Sequence, residues 1–120
     1  NAHKTIYIVT PEFNGNGQLM FRDNIQHMVR NRNVVILMGS ITTGETLRKC
    51  MESILYYGGT IQGVSSIFSA VNKVAGLDIN AVFYKKDVPD YQTHKASECP
   101  MCRNGQRLDA IVNGYGYSKL

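Results

Sequence analysis

Five consecutive apolar residues, Val34-Val35-Ile36-Leu37-Met38, run directly into Gly39-Ser40-Ile41-Thr42-Thr43-Gly44, and this junction constrains the chain more than any other feature. A short apolar run bounded by polar loops reads as a central strand covered on both faces. Beyond the small, hydroxyl-rich loop, Leu47, Cys50, Met51, Ile54 and Leu55 recur at helical spacing, with Glu45, Arg48, Lys49 and Glu52 on the other faces. That helix is expected to end at Gly58-Gly59, where glycine supplies a left-handed cap.

The flanking segments extend the pattern. Residues 5–10 (TIYIVT) are β-branched and aromatic and stop at Pro11, which predicts a strand running into a loop. Asn14-Gly15-Asn16-Gly17 makes that loop flexible or tightly turned. Phe21, Ile25, Met28 and Val29 then mark one face of a helix ending near Arg30 to Arg32. Downstream, residues 60–68 predict a strand, residues 71–75 a helical turn and residues 78–84 another strand. The order β-α-β-α-β-β predicts an α/β fold, a mainly parallel sheet flanked by helices. Asn1-Ala2 reads as the remnant of an expression tag, residues 3–84 as the α/β core, and residues 85–120 as an irregular segment packed on it.

A length of 120 residues fits one small domain with a real core. No apolar run approaches the roughly 20 residues a bilayer span needs, and no stretch has the regions of a signal peptide. A cytoplasmic location without a membrane partner is expected. The net charge of +4 suits a phosphate-bearing ligand. It is dispersed, however: Lys85-Lys86 and Arg30/Arg32 are short clusters that read as solvated surface, and the seven tyrosines do not alternate with basic residues as a nucleic-acid stacking platform would require. Three cysteines, an odd number, argue against a secreted disulfide framework.

In a parallel α/β sheet, ligands bind beyond the carboxyl ends of the strands, where loops feed into helix N-termini. A helix start presents backbone N–H groups without intrahelical partners and a partial positive charge, so it can wrap an anion. Thr42, Thr43 and Thr46 add hydroxyl donors, and Gly44 lets the backbone approach closely. The physical reading is a phosphomonoester cradle. The alternative is that a threonine here merely caps the helix.

Residues 34–47, followed by a helix closing on Tyr57-Gly58-Gly59, resemble the phosphoribosyl-pyrophosphate motif of type I phosphoribosyltransferases. That motif is an apolar strand, two acidic residues, an apolar residue and a Thr-Thr-Gly-like loop. The match runs on through residues 61–68 and so covers the middle third of the chain. Within the family the chain most resembles orotate phosphoribosyltransferase-like proteins, since Glu98-Cys99-Pro100-Met101-Cys102-Arg103-Asn104-Gly105 is similar to a Cys-Pro-Leu-Cys-x-x-Gly segment found in some of them.

The resemblance implies a partial phosphoribosyltransferase-like core, its C-terminal portion. It also implies that Thr42, Thr43, Gly44, Glu45 and Thr46 hold the 5′-phosphate of phosphoribosyl pyrophosphate or of a nucleoside monophosphate. Transfer of phosphoribose to an orotate-like base, with Mg2+ and in a homodimer, would follow for an active member. Gly39 and Ser40 stand where the family places two carboxylates that engage the ribose hydroxyls. Losing charge positioned to favour an oxocarbenium-like transition state costs several kcal/mol, roughly thousands-fold in rate. The second expectation is therefore a catalytically inactive phosphoribosyl- or nucleotide-binding regulatory domain, and the third an interaction domain whose loop is only a cap. The family's pyrophosphate-binding loop lies on a strand earlier than residues 5–10. Residues 12–22 fall where the family carries a mobile catalytic loop and hold a single basic residue, Arg22. No residue is assigned a catalytic role.

His94, Cys99 and Cys102 form His-x4-Cys-x2-Cys. A closed zinc site needs a fourth ligand, and no second Cys-x2-Cys exists, so the expectation is no metal and a Cys-Pro turn with reduced thiols. Zinc at these three residues and a redox pair are the alternatives.

Overall fold

The computed structural model describes residues 3–113 and 115–120. The expectation of a tag remnant at Asn1-Ala2 lies outside the described residues. Two short strands, β1 (Glu12–Phe13) and β2 (Leu19–Met20), form an antiparallel hairpin at the start. The main sheet is built from β3 (Asn33–Ile41), β4 (Thr60–Ser69), β5 (Lys73–Val74) and β6 (Leu77–Tyr84), in the order β3-β4-β6-β5. β3 pairs with β4 and β4 with β6 in parallel, while β5 runs antiparallel to β6. A twelve-residue helix, α1 (Glu45–Tyr56), makes the crossover from β3 to β4. The class is α/β with a mixed sheet and few helices.

α1 forms where the apolar spacing places it. Leu47, Met51 and Ile54 are buried against Ile36, Ile41, Val64 and Ile79 of the sheet, with Phe21 and Val29 closing the same core. Leu55, expected on that face, is exposed. Gly58 has φ +80°, and the Gly59 N–H donates to the Ile54 carbonyl at 2.9 Å, so the helix terminates by the left-handed cap the sequence predicts.

Four local expectations are corrected. Residues 5–10 lie in no strand of the described structure, because β-branched propensity makes a strand only where a ladder partner exists. The segment from Phe21 to Val29 is a series of turns around one 3-10 helix, Gln26–Met28. Phe21 and Val29 are buried without a continuous helix, so apolar spacing alone misled. Residues 71–75 are not helical: they enter a hairpin in which Lys73 pairs with Asp78 across Ala75-Gly76, with φ +47° and +83°. Lastly, β3 is not covered on both faces. Ile36 is 5% exposed and Leu37 77%, so the run alternates between a packed and an open side.

The chain divides after Pro89 into two compact units. The second, residues 90–120, contains a 3-10 turn (Ala96–Glu98), α2 (Pro100–Arg103), and β7 (Ala110–Asn113) paired antiparallel with β8 (Gly116–Lys119). Among the described residues no helix is long and apolar enough to cross a membrane.

Candidate functional site

The parallel register aligns Ile41 with Ser69 and Ser69 with Tyr84, and this row is the carboxyl edge of the sheet. Three connections leave from it: residues 42–44 into α1, residues 70–72 into β5, and Lys85-Lys86 after β6. The edge is tied together where the Ala70 N–H donates to the Ile41 carbonyl at 2.8 Å and the Ser69 hydroxyl donates to the Val71 carbonyl at 2.6 Å.

β3 extends three residues beyond the apolar run, so Gly39 and Ser40 belong to the strand, and the loop proper is Thr42-Thr43-Gly44. Pairing with β4, whose Phe68 and Ser69 lie opposite Ser40 and Ile41, carries the strand this far. Thr42, Thr43, Glu45 and Thr46 are exposed, whereas Gly44 and Leu47 are buried. Gly44 occupies the N-cap position at φ +86°, ψ 0°, and a Cβ there would lie 2.6 Å from Val74 Cγ2. Only glycine meets both demands without strain. The β5–β6 hairpin therefore backs the loop, a role for Val74 that the misread of residues 71–75 concealed. The missed signal was the Ala75-Gly76 pair, two residues between short extended segments.

The helix ladder opens with the Arg48 N–H donating to the Gly44 carbonyl at 2.8 Å, so the N–H groups of Glu45, Thr46 and Leu47 precede it. No side chain caps α1, and the Thr43 hydroxyl accepts from the Glu45 N–H only at a long 3.4 Å. An ordinary threonine cap is thus poorly formed, and Thr42, Thr43 and Thr46 around this helix start are exposed.

The β1–β2 hairpin is fastened to α1. Lys49 Nζ donates to the Gly17 carbonyl at 3.2 Å and the Ser53 hydroxyl to the Leu19 carbonyl at 2.9 Å. Arg22 grips Glu12 with two hydrogen bonds of 2.9 and 2.8 Å, which hold the Glu12 carboxyl below its usual range and raise the guanidinium further above its own. The basic residue of this segment is therefore engaged within its own hairpin.

Two open clefts lie elsewhere. One, of about 580 Å³, sits at the far end of α1 beside Arg30, Asn31 and Tyr57. The other, of about 660 Å³, is lined by Asn72, Asn80, Tyr84, Lys85 and Lys86 and opens on the carboxyl edge. Lys85 and Lys86, read from the sequence as solvated surface, thus leave the sheet at the same edge as the threonine loop. Strand order is what brings them there. His94, Cys99 and Cys102 are not gathered into a metal-capable group: among the described residues no cluster of three His, Cys, Asp or Glu side chains exists. Cys50 stands apart on α1, where burial pushes its thiol up.

An α/β sheet with an uncapped Thr-Thr-Gly helix start at its carboxyl edge is compatible with a phosphoribosyltransferase-like fold, and sequence comparison points to the same class. Over 108 residues the chain is 30% identical to the orotate phosphoribosyltransferase of Chlorobaculum parvum, a match that takes in 89% of this chain and 52% of that protein. The chain thus spans about half the length of the curated relative it matches. No family model matches it.

Proposed function

We propose that the chain binds a 5′-phosphoribosyl ligand, phosphoribosyl pyrophosphate or a nucleoside monophosphate, with the phosphate seated on Thr42, Thr43, Gly44, Glu45 and Thr46. The observation that carries this is the uncapped start of α1 at the carboxyl edge of a parallel sheet, within a segment related to an orotate phosphoribosyltransferase. First-turn N–H groups and the local helix charge favour a doubly negative phosphate, and the threonine hydroxyls add donors. Lys85 and Lys86 at the same edge raise the local positive potential.

As an enzyme, the protein would transfer phosphoribose from phosphoribosyl pyrophosphate to a nitrogenous, orotate-like base. A second reading, a binding or regulatory domain without turnover, is favoured by Gly39 and Ser40. Both are exposed at the end of β3 and provide no carboxylate for the ribose. Mg2+ accompanies the first reading, but the loop offers it one carboxylate, Glu45, among hydroxyls. This set does not fit a protein-held magnesium site, so no step is derived through the metal.

Calorimetric titration with phosphoribosyl pyrophosphate and with nucleoside monophosphates tests the binding. Saturable heat is expected, weakened about tenfold or more in Thr43→Ala/Thr46→Val through loss of hydroxyl donors to a charged group. Absence of heat with every one of these ligands overturns both readings. Where binding occurs, a pyrophosphate-release assay divides them, and activity appearing only in Gly39→Asp/Ser40→Asp assigns the natural chain to the binding class.

A further inference from the structure

The phosphoribosyl reading makes no use of the Cys-Pro-Met-Cys turn, whose two sulfurs stand three residues apart on one helical turn. Cys99 precedes α2 in extended conformation (φ −64°, ψ +117°), Pro100 opens the turn, and Cys102 follows within it. Three hydrogen bonds fix this geometry: Arg103 N–H to Cys99 O at 3.1 Å, Asn104 N–H to Pro100 O at 3.0 Å, and Gly105 N–H to Cys102 O at 3.1 Å. Residues three apart on a helical turn are side-chain neighbours. Cys99 and Cys102 hold such positions across this turn, and each thiol perturbs the other. Cys102 is exposed and Cys99 partly so, so that both are reachable from solvent.

We propose that Cys99 and Cys102 form a reversible dithiol–disulfide site, with Cys99 the attacking thiol, Cys102 the resolving thiol, and a small-molecule disulfide of the glutathione type as the oxidant. The Cys99 thiolate attacks one sulfur of that disulfide, forming a mixed disulfide and releasing one thiolate, which takes up the proton that Cys99 lost. Cys102, losing its proton to water, then attacks the Cys99 sulfur, closes the ring and expels the second thiolate, which is protonated from water. Two protein thiols are oxidised and one disulfide is reduced to two thiols.

The division of roles follows from the surroundings of the two sulfurs in the turn. The Cys102 backbone N–H and thiol beside it hold the Cys99 thiol below the usual range, while the neighbouring Cys99 raises Cys102. Cys50, pushed up by burial, supplies an internal reference thiol.

The test incubates the whole chain in glutathione buffers of graded ratio, quenches by alkylation, and reads intact mass and peptide maps. A Cys99–Cys102 linkage with loss of two hydrogens and with Cys50 still alkylated is expected. In Cys102→Ser, a stable glutathione adduct should accumulate on Cys99, and alkylation of that thiol should be at least several-fold faster at neutral pH than alkylation of Cys102 in Cys99→Ser. Its rate should half-rise at a pH below the ordinary thiol range. Two thiols that stay alkylatable at every ratio, wild-type chains that stop at a single glutathione adduct, or equal reactivity in the two serine variants would each overturn the proposal.

Discussion

Gly44 concentrates the conflict between packing and binding in one position. Its φ of +86° costs an L-residue about 1–3 kcal/mol, and its Cα faces Val74 at a distance that leaves no room for a methyl group. Gly44→Ala should therefore lose about 2–4 kcal/mol of stability, read as a fall in the urea midpoint, since overpacking adds to the backbone strain. Val74→Ala in the same chain should restore part of that loss, because it removes the steric contribution and leaves the conformational one. An unchanged midpoint in Gly44→Ala would mean that the hairpin does not back the loop. Thr42, Thr43 and Thr46, whose side chains are exposed around this buried glycine, carry no comparable structural burden. Their conservative removal should alter ligand binding while leaving the midpoint nearly fixed.

Among the elements, the β5–β6 hairpin departs furthest from what its sequence predicts. Ala75 takes φ +47° in the two-residue turn, a conformation that costs an L-residue roughly 1–2 kcal/mol. Replacing it by glycine removes that strain and returns about 0.4–1 kcal/mol to the unfolded chain as entropy. Ala75→Gly should thus stabilise by about 0.5–1 kcal/mol, seen as a raised urea midpoint at unchanged slope. A lowered midpoint would show that the turn is not left-handed. Alanine, which is not a turn-former, hid this hairpin from sequence reading. By contrast, α1 and the parallel strands β3, β4 and β6 were legible, because spacing of 3.6 and runs of β-branched residues are local signals. The loop's place between β3 and α1 was legible for the same reason. Its backing by Val74, and the approach of Lys85-Lys86 to the same edge, were not, since both depend on which strands become neighbours. Residues 5–10 and the segment from Phe21 to Val29 failed differently: each has the right residue types for an element, and the long-range partners decided otherwise.

Across the first unit, burial is one-sided. The row of Ile36, Val64 and Ile79 faces α1 and is closed, while Val35 and Leu37 of β3, Ile67 of β4 and Val82 of β6 are all exposed. The apolar run that reads as a doubly covered strand thus divides by parity, and two adjacent residues of similar size test the division. Ile36→Ala removes side-chain atoms from a closed core and should cost about 2–5 kcal/mol. Leu37→Ala removes atoms already in water and should stay within about 0.5 kcal/mol of the parent. Both values come from urea titrations of the same chain, so differences in the unfolded reference largely cancel. Equal and large losses would mean that the far face of the sheet is covered in solution, by association or by rearrangement. Dilution then separates those two cases, because a covering copy makes the Leu37→Ala cost fall with protein concentration and an internal cover does not.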